Sequence, residues 1–430
     1  MKRNNGNMQV SLLALAVQGA LIAMCAMPAH ADDEEVAALK KPTNSVEIGA
    51  ASVSQSSAKF GEYNGMNKSG VDAVGNVNLR GGDAYGDSNG TNRWSIIGKD
   101  LGLTSRSAGA ALSNQGQWNI GIGYDQLQHN ISDTYQTPYL GAMGNNNFTL
   151  PAGFGLISTA ASGLSPVGTN AMTAAQQAAF HQLDIASTRK NTSFTAGVNL
   201  DRQWDVKFDF NRLNQSGAKL ESFGSMLNAT KAPGVLGEAI SVLANPTNYQ
   251  TDTINLALNW IGEQAHMTTS YFGSFFREGY DRVNFQTYGA TTRAIATTGT
   301  ASVMETMSTP PSNQFHQLNM NGGYVFSPKT KLTGGFSFAR NTQNDPFVAD
   351  AYSMVTAPPQ ATLSGQVNNY HADLKLTDQT FKDWALSAGM KYDERNDHTV
   401  SNFYRFNALD GAANHVANFP NTPFSNRKTQ

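Results

Sequence analysis

The residues best suited to chemistry are thinly spread along this chain. Eight histidines occur (His30, His129, His181, His266, His316, His371, His398 and His415), without an HxxH or HExxH pair and without Asp or Glu at metal-ligand spacing. No GxSxG string is present, and the many serines and threonines offer no triad that spacing can select. His371, Asp373 and Lys375 stand at alternate positions, so in a strand they share one face. An ordinary polar lumen wall is preferred for them to a proton relay or a haem-facing role. Asp281-Arg282 and Asp393-Glu394-Arg395 suit solvated strand ends. The lone cysteine, Cys25, leaves no disulfide, CxxC pair, thiolate zinc site or CxxCH haem attachment. Lys and Arg form no dense stripe, so a nucleic-acid partner is not expected. The expectation is a non-enzymatic protein with no covalently bound cofactor.

These residues are set in a framework that begins with an export signal. Lys2 and Arg3 precede an apolar run from about Val10 to Met27, and Ala29-His30-Ala31 follows. That order is a secretory signal peptide over residues 1–31, preferred to a membrane anchor because of the small-x-small site. Residues 32–43 read as a short periplasmic segment and 44–430 as one domain. With 14% charged residues and 40 glycines, and no later apolar run long enough for a spanning helix, the domain points to β-structure.

The dominant pattern is period two. Trp118, Ile120, Ile122 and Tyr124 alternate with Asn119, Gly121, Gly123 and Asp125; Trp204, Val206, Phe208 and Phe210 alternate with Asp205, Lys207, Asp209 and Asn211. Ile254, Leu256, Leu258 and Trp260 alternate with Asn255, Ala257 and Asn259, and KLTGGFSFAR and WALSAGMKY continue the habit. Alternation of this length argues strand. Ten residues at about 3.3 Å each span roughly 33 Å, a tilted bilayer crossing, and aromatics at the ends of the apolar face suit an interface girdle. Strands are expected near 44–56, 71–81, 91–99, 103–111, 116–127, 190–200, 203–212, 251–261, 264–276, 314–326, 329–340, 365–377, 381–393 and 398–407.

Tight turns at Asp201-Arg202, Gly262-Glu263 and Ser327-Pro328 alternate with long loops near 128–189, 213–249, 277–312 and 341–364. Within the first loop, residues 171–186 are compatible with a small helix. Short turns alternating with long loops describe an all-β, transmembrane antiparallel barrel of the outer membrane, with short periplasmic turns and long extracellular loops. A soluble sandwich would have shorter strands and fewer long loops. The final string, NTPFSNRKTQ, reads as a loop entering another strand rather than a closing strand, so C-terminal strands are expected to be missing.

The polar alternates would face the lumen. Asn119, Gly121, Gly123, Asp125, Asp205, Lys207, Asp209, Asn255, Asn259, His371, Asp373 and Lys375 are the candidate lumen- or partner-facing residues. Many are small or uncharged, which leaves a bore open for water or for a fitted plug. A sheath around another molecule and a general diffusion porin or transporter with a water-filled lumen both remain open on these residues.

The string QTPYLGAMGNNNFTLP at 136–151 resembles the first large loop of the MtrB/PioB family of outer-membrane barrels. The residues that carry the resemblance are Pro138, Tyr139, Gly141, Asn146, Asn147, Thr149, Leu150 and Pro151, with Phe148 where the family often has Leu. GQWNIGIGYDQL before it, PTNYQTDTINLALNW at 246–260 and NTPFSNRKTQ at the end match family strings in the same order. The resemblance implies a large barrel, of more than about twenty strands, that sheathes a periplasmic multihaem c-type cytochrome and docks an extracellular one. Haem would then be supplied by the partner, and the pair would carry electrons across the outer membrane. Some members have a CxxC near the mature N-terminus, which this chain lacks, and members are longer, so the chain corresponds to about the N-terminal half to two-thirds.

Overall fold

The structure is a computed structural model whose described residues are 44–85, 90–152, 174–226, 238–286, 304–348, 360–400 and 427–429. The expected signal peptide and residues 32–43 lie outside them. Alternation does what the sequence demands: long, half-apolar strands pair with their chain neighbours. The strands are β1 (Ser45–Val53), β2 (Gly70–Gly81), β3 (Asn92–Lys99), β4 (Arg106–Asn114), β5 (Trp118–Ser132), β6 (Gln136–Thr137), β7 (Asn147–Phe148), β8 (His181–Gln182), β9 (Ile185–Asn199) and β10 (Trp204–Met226). They continue as β11 (Glu238–Ile261), β12 (Ala265–Glu278), β13 (Arg282–Gln286), β14 (Met304–Ser308), β15 (Asn313–Ser327), β16 (Thr330–Gln343), β17 (Gly365–Asp378), β18 (Leu386–Asp397) and β19 (Arg427–Thr429).

Fourteen of them form one antiparallel sheet in the order β1-β2-β3-β4-β5-β9-β10-β11-β12-β15-β16-β17-β18-β19. The remaining strands belong to the loops, as a three-stranded sheet β14-β13-β7 and a two-stranded sheet β6-β8. This up-and-down order puts the tight turns after β4, β9, β11 and β15 on one rim and the long connections after β5, β10, β12 and β16 on the other; the six-residue β3–β4 turn, 100–105, also falls on the long-loop rim. Each tight turn is closed by a local acceptor. Asp201 Oδ1 takes the amides of Gln203 at 2.7 Å and Trp204 at 2.8 Å, and Ser327 Oγ takes those of Lys329 at 3.2 Å and Thr330 at 3.1 Å.

Register assigns every side chain to a face. Asn119 pairs with Gly197, which pairs with Lys207, and the line runs through Ala257, Ser270, Asn319 and Ser337 to His371 and Asp393. One position along, the line is Trp118, Val198, Val206, Leu258, Thr269, Met320, Phe336, Ala372 and Tyr392. One face is therefore polar and the other an apolar belt, and Ile122 on the belt is 60% exposed. Burial of apolar side chains against each other does not hold this sheet together; backbone pairing does, with the apolar face left for lipid.

The structure extends β5 to Ser132, starts β9 at Ile185, shifts β4 to Arg106–Asn114 and places β13 and β14 within the loop expected at 277–312; three further differences bear on the rims. The loop expected at 213–249 is mostly strand: β10 and β11 have 23 and 24 residues and pair from Trp204↔Trp260 to Met226↔Glu238, so their hairpin rises well above its neighbours. Beyond the belt neither face has to be apolar, so the period-two signal fades while the pairing continues. The strand expected from residue 381 starts at Leu386, leaving Trp384 in the turn, because Asp378 receives Thr380 and ends β17. His398–Val400 are not strand, and 401–407 lie outside the described residues. The helix-compatible stretch yields a single short helix, α1, at Ala174–Ala178.

Candidate functional site: the polar face and the loop cap

All twelve candidate residues fall on the polar face. Asn119, Gly121, Gly123 and Asp125 lie on β5, Asp205, Lys207 and Asp209 on β10, Asn255 and Asn259 on β11, and His371, Asp373 and Lys375 on β17. They do not converge on one point. Two cross-strand pairs join β10 to β11: Asn259 Nδ2 donates to Asp205 Oδ2 at 2.8 Å, and Asn255 Nδ2 to Asp209 Oδ2 at 3.2 Å.

The face has two kinds of sector. Across β4, β5 and β9 it is rich in glycine, with Gly109, Gly121, Gly123 and Gly197; Thr195 leans over Gly121, Ser193 over Gly123 and Asn119 over Gly197, and a Cβ on Gly123 would meet Ser193 Oγ at 2.6 Å. Across β17 and β18 it is charged. His371 Nδ1 sits 2.6 Å from Asp393 Oδ1, its Nε2 sits 3.2 Å from Asp373 Oδ1, and Lys391 Nζ reaches Asp393 Oδ2 at 3.1 Å. In sequence Asp393 reads only as part of a charged strand end and Lys391 carries no signal of its own, since strand pairing and not spacing brings them to His371. Ser337 is the cross-strand neighbour of His371. Both imidazole nitrogens nevertheless face carboxylates, which gives no nucleophile–base arrangement there. Among the described residues no group of His, Cys, Asp and Glu is placed to hold a metal ion.

The second assembly stands on the long-loop rim. Tyr139, Phe148, Leu150, Ile185, Ala218, Leu243, Ala244, Val283 and Phe285 form a buried apolar cluster. The string 136–151 is its centre. Leu140 N donates to Thr149 O at 2.7 Å and closes the loop on itself, and Tyr139 meets Phe148 edge-on with centroids 6.1 Å apart. Gly141 is required because a Cβ there would come within 2.7 Å of the Phe148 ring. Pro138 and Tyr139 are buried, Gly141, Asn146 and Pro151 are half-buried, and Asn147 and Thr149 are exposed.

Polar contacts then dock this loop onto the next one. Asn147 and Phe148 pair in parallel with Asn284 and Phe285, and Asn284 N donates to Asn146 O at 2.9 Å. Asn146 Nδ2 donates to Arg282 O at 3.1 Å, Tyr139 Oη donates to Gln286 O at 2.6 Å, and Leu150 N to Gln286 Oε1. Tyr135 Oη reaches Val242 O of the raised hairpin at 2.7 Å. The resemblance string is thus the core of a cap linking the first loop, the β10–β11 hairpin and the β12–β15 loop.

Beside the cap, Glu278 ends β12 beyond the apolar belt, at a cavity of about 370 Å³ also lined by Phe276, Ser312, Asn344 and Asp345. Burial pushes its carboxyl up to about 7, against the amides of Tyr280 and Gly279, which favour the anion. Its Oε2 has no hydrogen-bond partner among the described residues.

Comparison with known proteins agrees with this architecture. Outer membrane protein MtrB of Shewanella baltica (strain OS185) is 23% identical over 350 residues, covering 81% of this chain and 45% of the relative. The chain therefore spans less than half the length of that relative. Among solved structures, OmpT of Vibrio cholerae aligns at 6% identity and a TM-score of 0.28, covering 85% of this chain and 88% of OmpT. The CymD monoaromatic hydrocarbon channel aligns at 8% identity and a TM-score of 0.26, covering 82% of each chain. These structural scores are too low to carry an argument. The family match covers most of the chain, from residue 52 to 430, under the description "Putative outer membrane beta-barrel porin, MtrB/PioB". With its alternating strands, its two unlike rims and its loop string in place, the chain belongs to the MtrB/PioB family of outer-membrane β-barrel proteins.

Proposed function

We propose that the polar face lines the lumen of a sheath that holds a periplasmic multihaem c-type cytochrome, so that electrons cross the outer membrane through haems the partner supplies. The supporting observation is the glycine-rich sector of β4, β5 and β9, where glycines and short polar side chains let another protein approach the backbone closely. The cap then offers a rigid surface on the extracellular rim for a second, external cytochrome. No catalytic role is assigned to the chain, and with its one cysteine in the predicted signal peptide it has no CxxCH with which to attach haem itself.

A water-filled diffusion porin is the second reading, and the charged sector of His371, Asp373, Lys391 and Asp393 favours it, because charge on a lumen wall tunes ion passage. Extraction of the protein in mild detergent distinguishes the two. A haem-staining partner that co-purifies at constant ratio is the result expected of a sheath. Steady ion conductance by the barrel alone, with no such partner, would overturn that reading in favour of the porin.

A further inference from the structure

The two ends of the apolar belt are chemically opposite. All five tryptophans of the chain lie at the short-turn rim: Trp94, Trp118, Trp204 and Trp260 near the ends of β3, β5, β10 and β11, and Trp384 in the turn before β18. Outward strand positions at that rim carry no Lys or Arg among the described residues. At the long-loop rim an outward cation stands at the end of the apolar belt on five strands: Arg106 on β4, Arg212 on β10, Arg277 on β12 and Arg340 on β16 at the first polar position past it, and Lys190 on β9 one outward position beyond Thr192. All five are exposed. The acids of that band are Asp252 and Glu394.

Three of these cations follow one device, Phe-x-Arg, at Phe210–Arg212, Phe275–Arg277 and Phe338–Arg340. The aromatic is the last apolar residue of the belt on its strand. The guanidinium carbons of Arg212 and Arg340 each lie 5.9 Å from the centroid of the ring beneath them. Asp252, almost wholly buried, positions a pair. Its Oδ1 receives Arg212 Nε at 2.7 Å, and its Oδ2 receives Arg212 Nη2 at 2.9 Å and Arg277 Nη1 at 2.9 Å, with Gln250 Nε2 at 3.0 Å. One carboxylate holding two half-exposed guanidiniums leaves donors free to face outward.

We propose that this band is a binding site for the phosphorylated headgroups of outer-leaflet glycolipid. The lipid-facing belt ends where the cations begin, so acyl chains would lie on the phenylalanines while phosphates meet the guanidiniums above. Position and charge complementarity both favour a phosphorylated amphiphile over a soluble anion, which has no use for the apolar belt. The inference rests on membrane orientation and is independent of the cytochrome-sheath reading.

The test uses the full chain purified from outer membranes, with binding of lipid A measured by native mass spectrometry against the same lipid stripped of phosphate. Arg106→Gln, Lys190→Gln and Arg340→Gln together spare the Asp252 cluster and should weaken lipid A binding about ten-fold or more. Binding of the stripped lipid should hardly change. A second variant, Arg106→Lys with Arg340→Lys, keeps the charge and should retain binding, and heat-modifiable mobility on gels verifies that both variants are folded. Equal lipid A binding by the folded Gln variant and the wild-type chain would overturn the proposal. So would displacement of the lipid by millimolar inorganic phosphate, which would reassign the site to a soluble anion.

Discussion

At the short-turn rim, Asp201 closes the turn between β9 and β10 within four residues, and the neighbouring Trp204 and Trp260 stand opposite each other with ring centroids 6.1 Å apart. At the long-loop rim, the connections fold on one another to make the one extended apolar cluster among the described residues, around Tyr139 and Phe148. The first rim is held by local hydrogen bonds and by rings seated at an interface. The second is held as a small soluble domain is, by burial of apolar side chains between segments more than a hundred residues apart. A membrane strand cannot bury its apolar face against protein without giving up lipid. Only the part of the chain outside the belt can build a core of its own.

That contrast yields predictions of decreasing size. Tyr139→Ala removes a fully buried ring from the cap and should destabilise it by about 3–5 kcal/mol, opening the 136–151 loop to protease while the β5–β9 pairing keeps its hydrogen-exchange protection. Tyr139→Phe keeps the ring, loses the hydroxyl's bond to Gln286 O and should cost about 1 kcal/mol. If both variants melt cap and sheet together, the two rims are one cooperative unit and the comparison fails.

A second prediction concerns pH and should be intermediate in size. Glu278, raised to about 7 by burial, holds its proton more tightly in the folded cap than in an opened one. Its contribution is therefore fully present below the ordinary carboxylate range and is lost as pH rises through about 7. Exchange protection around residues 278–286 should fall between pH 5 and pH 8, and Glu278→Gln should flatten the profile. The short-turn rim should show no such step.

The smallest effect is expected at that rim itself. A double-mutant cycle on Trp204→Ala and Trp260→Ala should give a coupling of about 0.5–1.5 kcal/mol, read from urea titration of the folded band. A coupling as large as the Tyr139 effect would mean that the short-turn rim has a packed core as well.

The belt was legible in the sequence because lipid imposes a strict rule: every second residue from Trp204 to Phe210 and from Ile254 to Trp260 has to be apolar. Alternation also placed all twelve polar candidates on one face. The rule lapses beyond Phe210 and below Ile254, and there the expected loop at 213–249 proved to be a long hairpin. Nothing local marks Ala218, Leu243 or Ala244 as core; they are buried because the loop string is laid over them.

The sequence by itself determined the strand period, the tight turns between long loops, and the string around Tyr139. Each depends on neighbours within about a dozen residues or on the uniform demand of the bilayer. Only the tertiary structure decided that His371 meets Asp393 and that Asp252 gathers Arg212 and Arg277. It also decided that Asn146 docks on residue 282. Those contacts join residues from 22 to 136 positions apart, and it is the register of distant strands, and no local spacing, that brings them together.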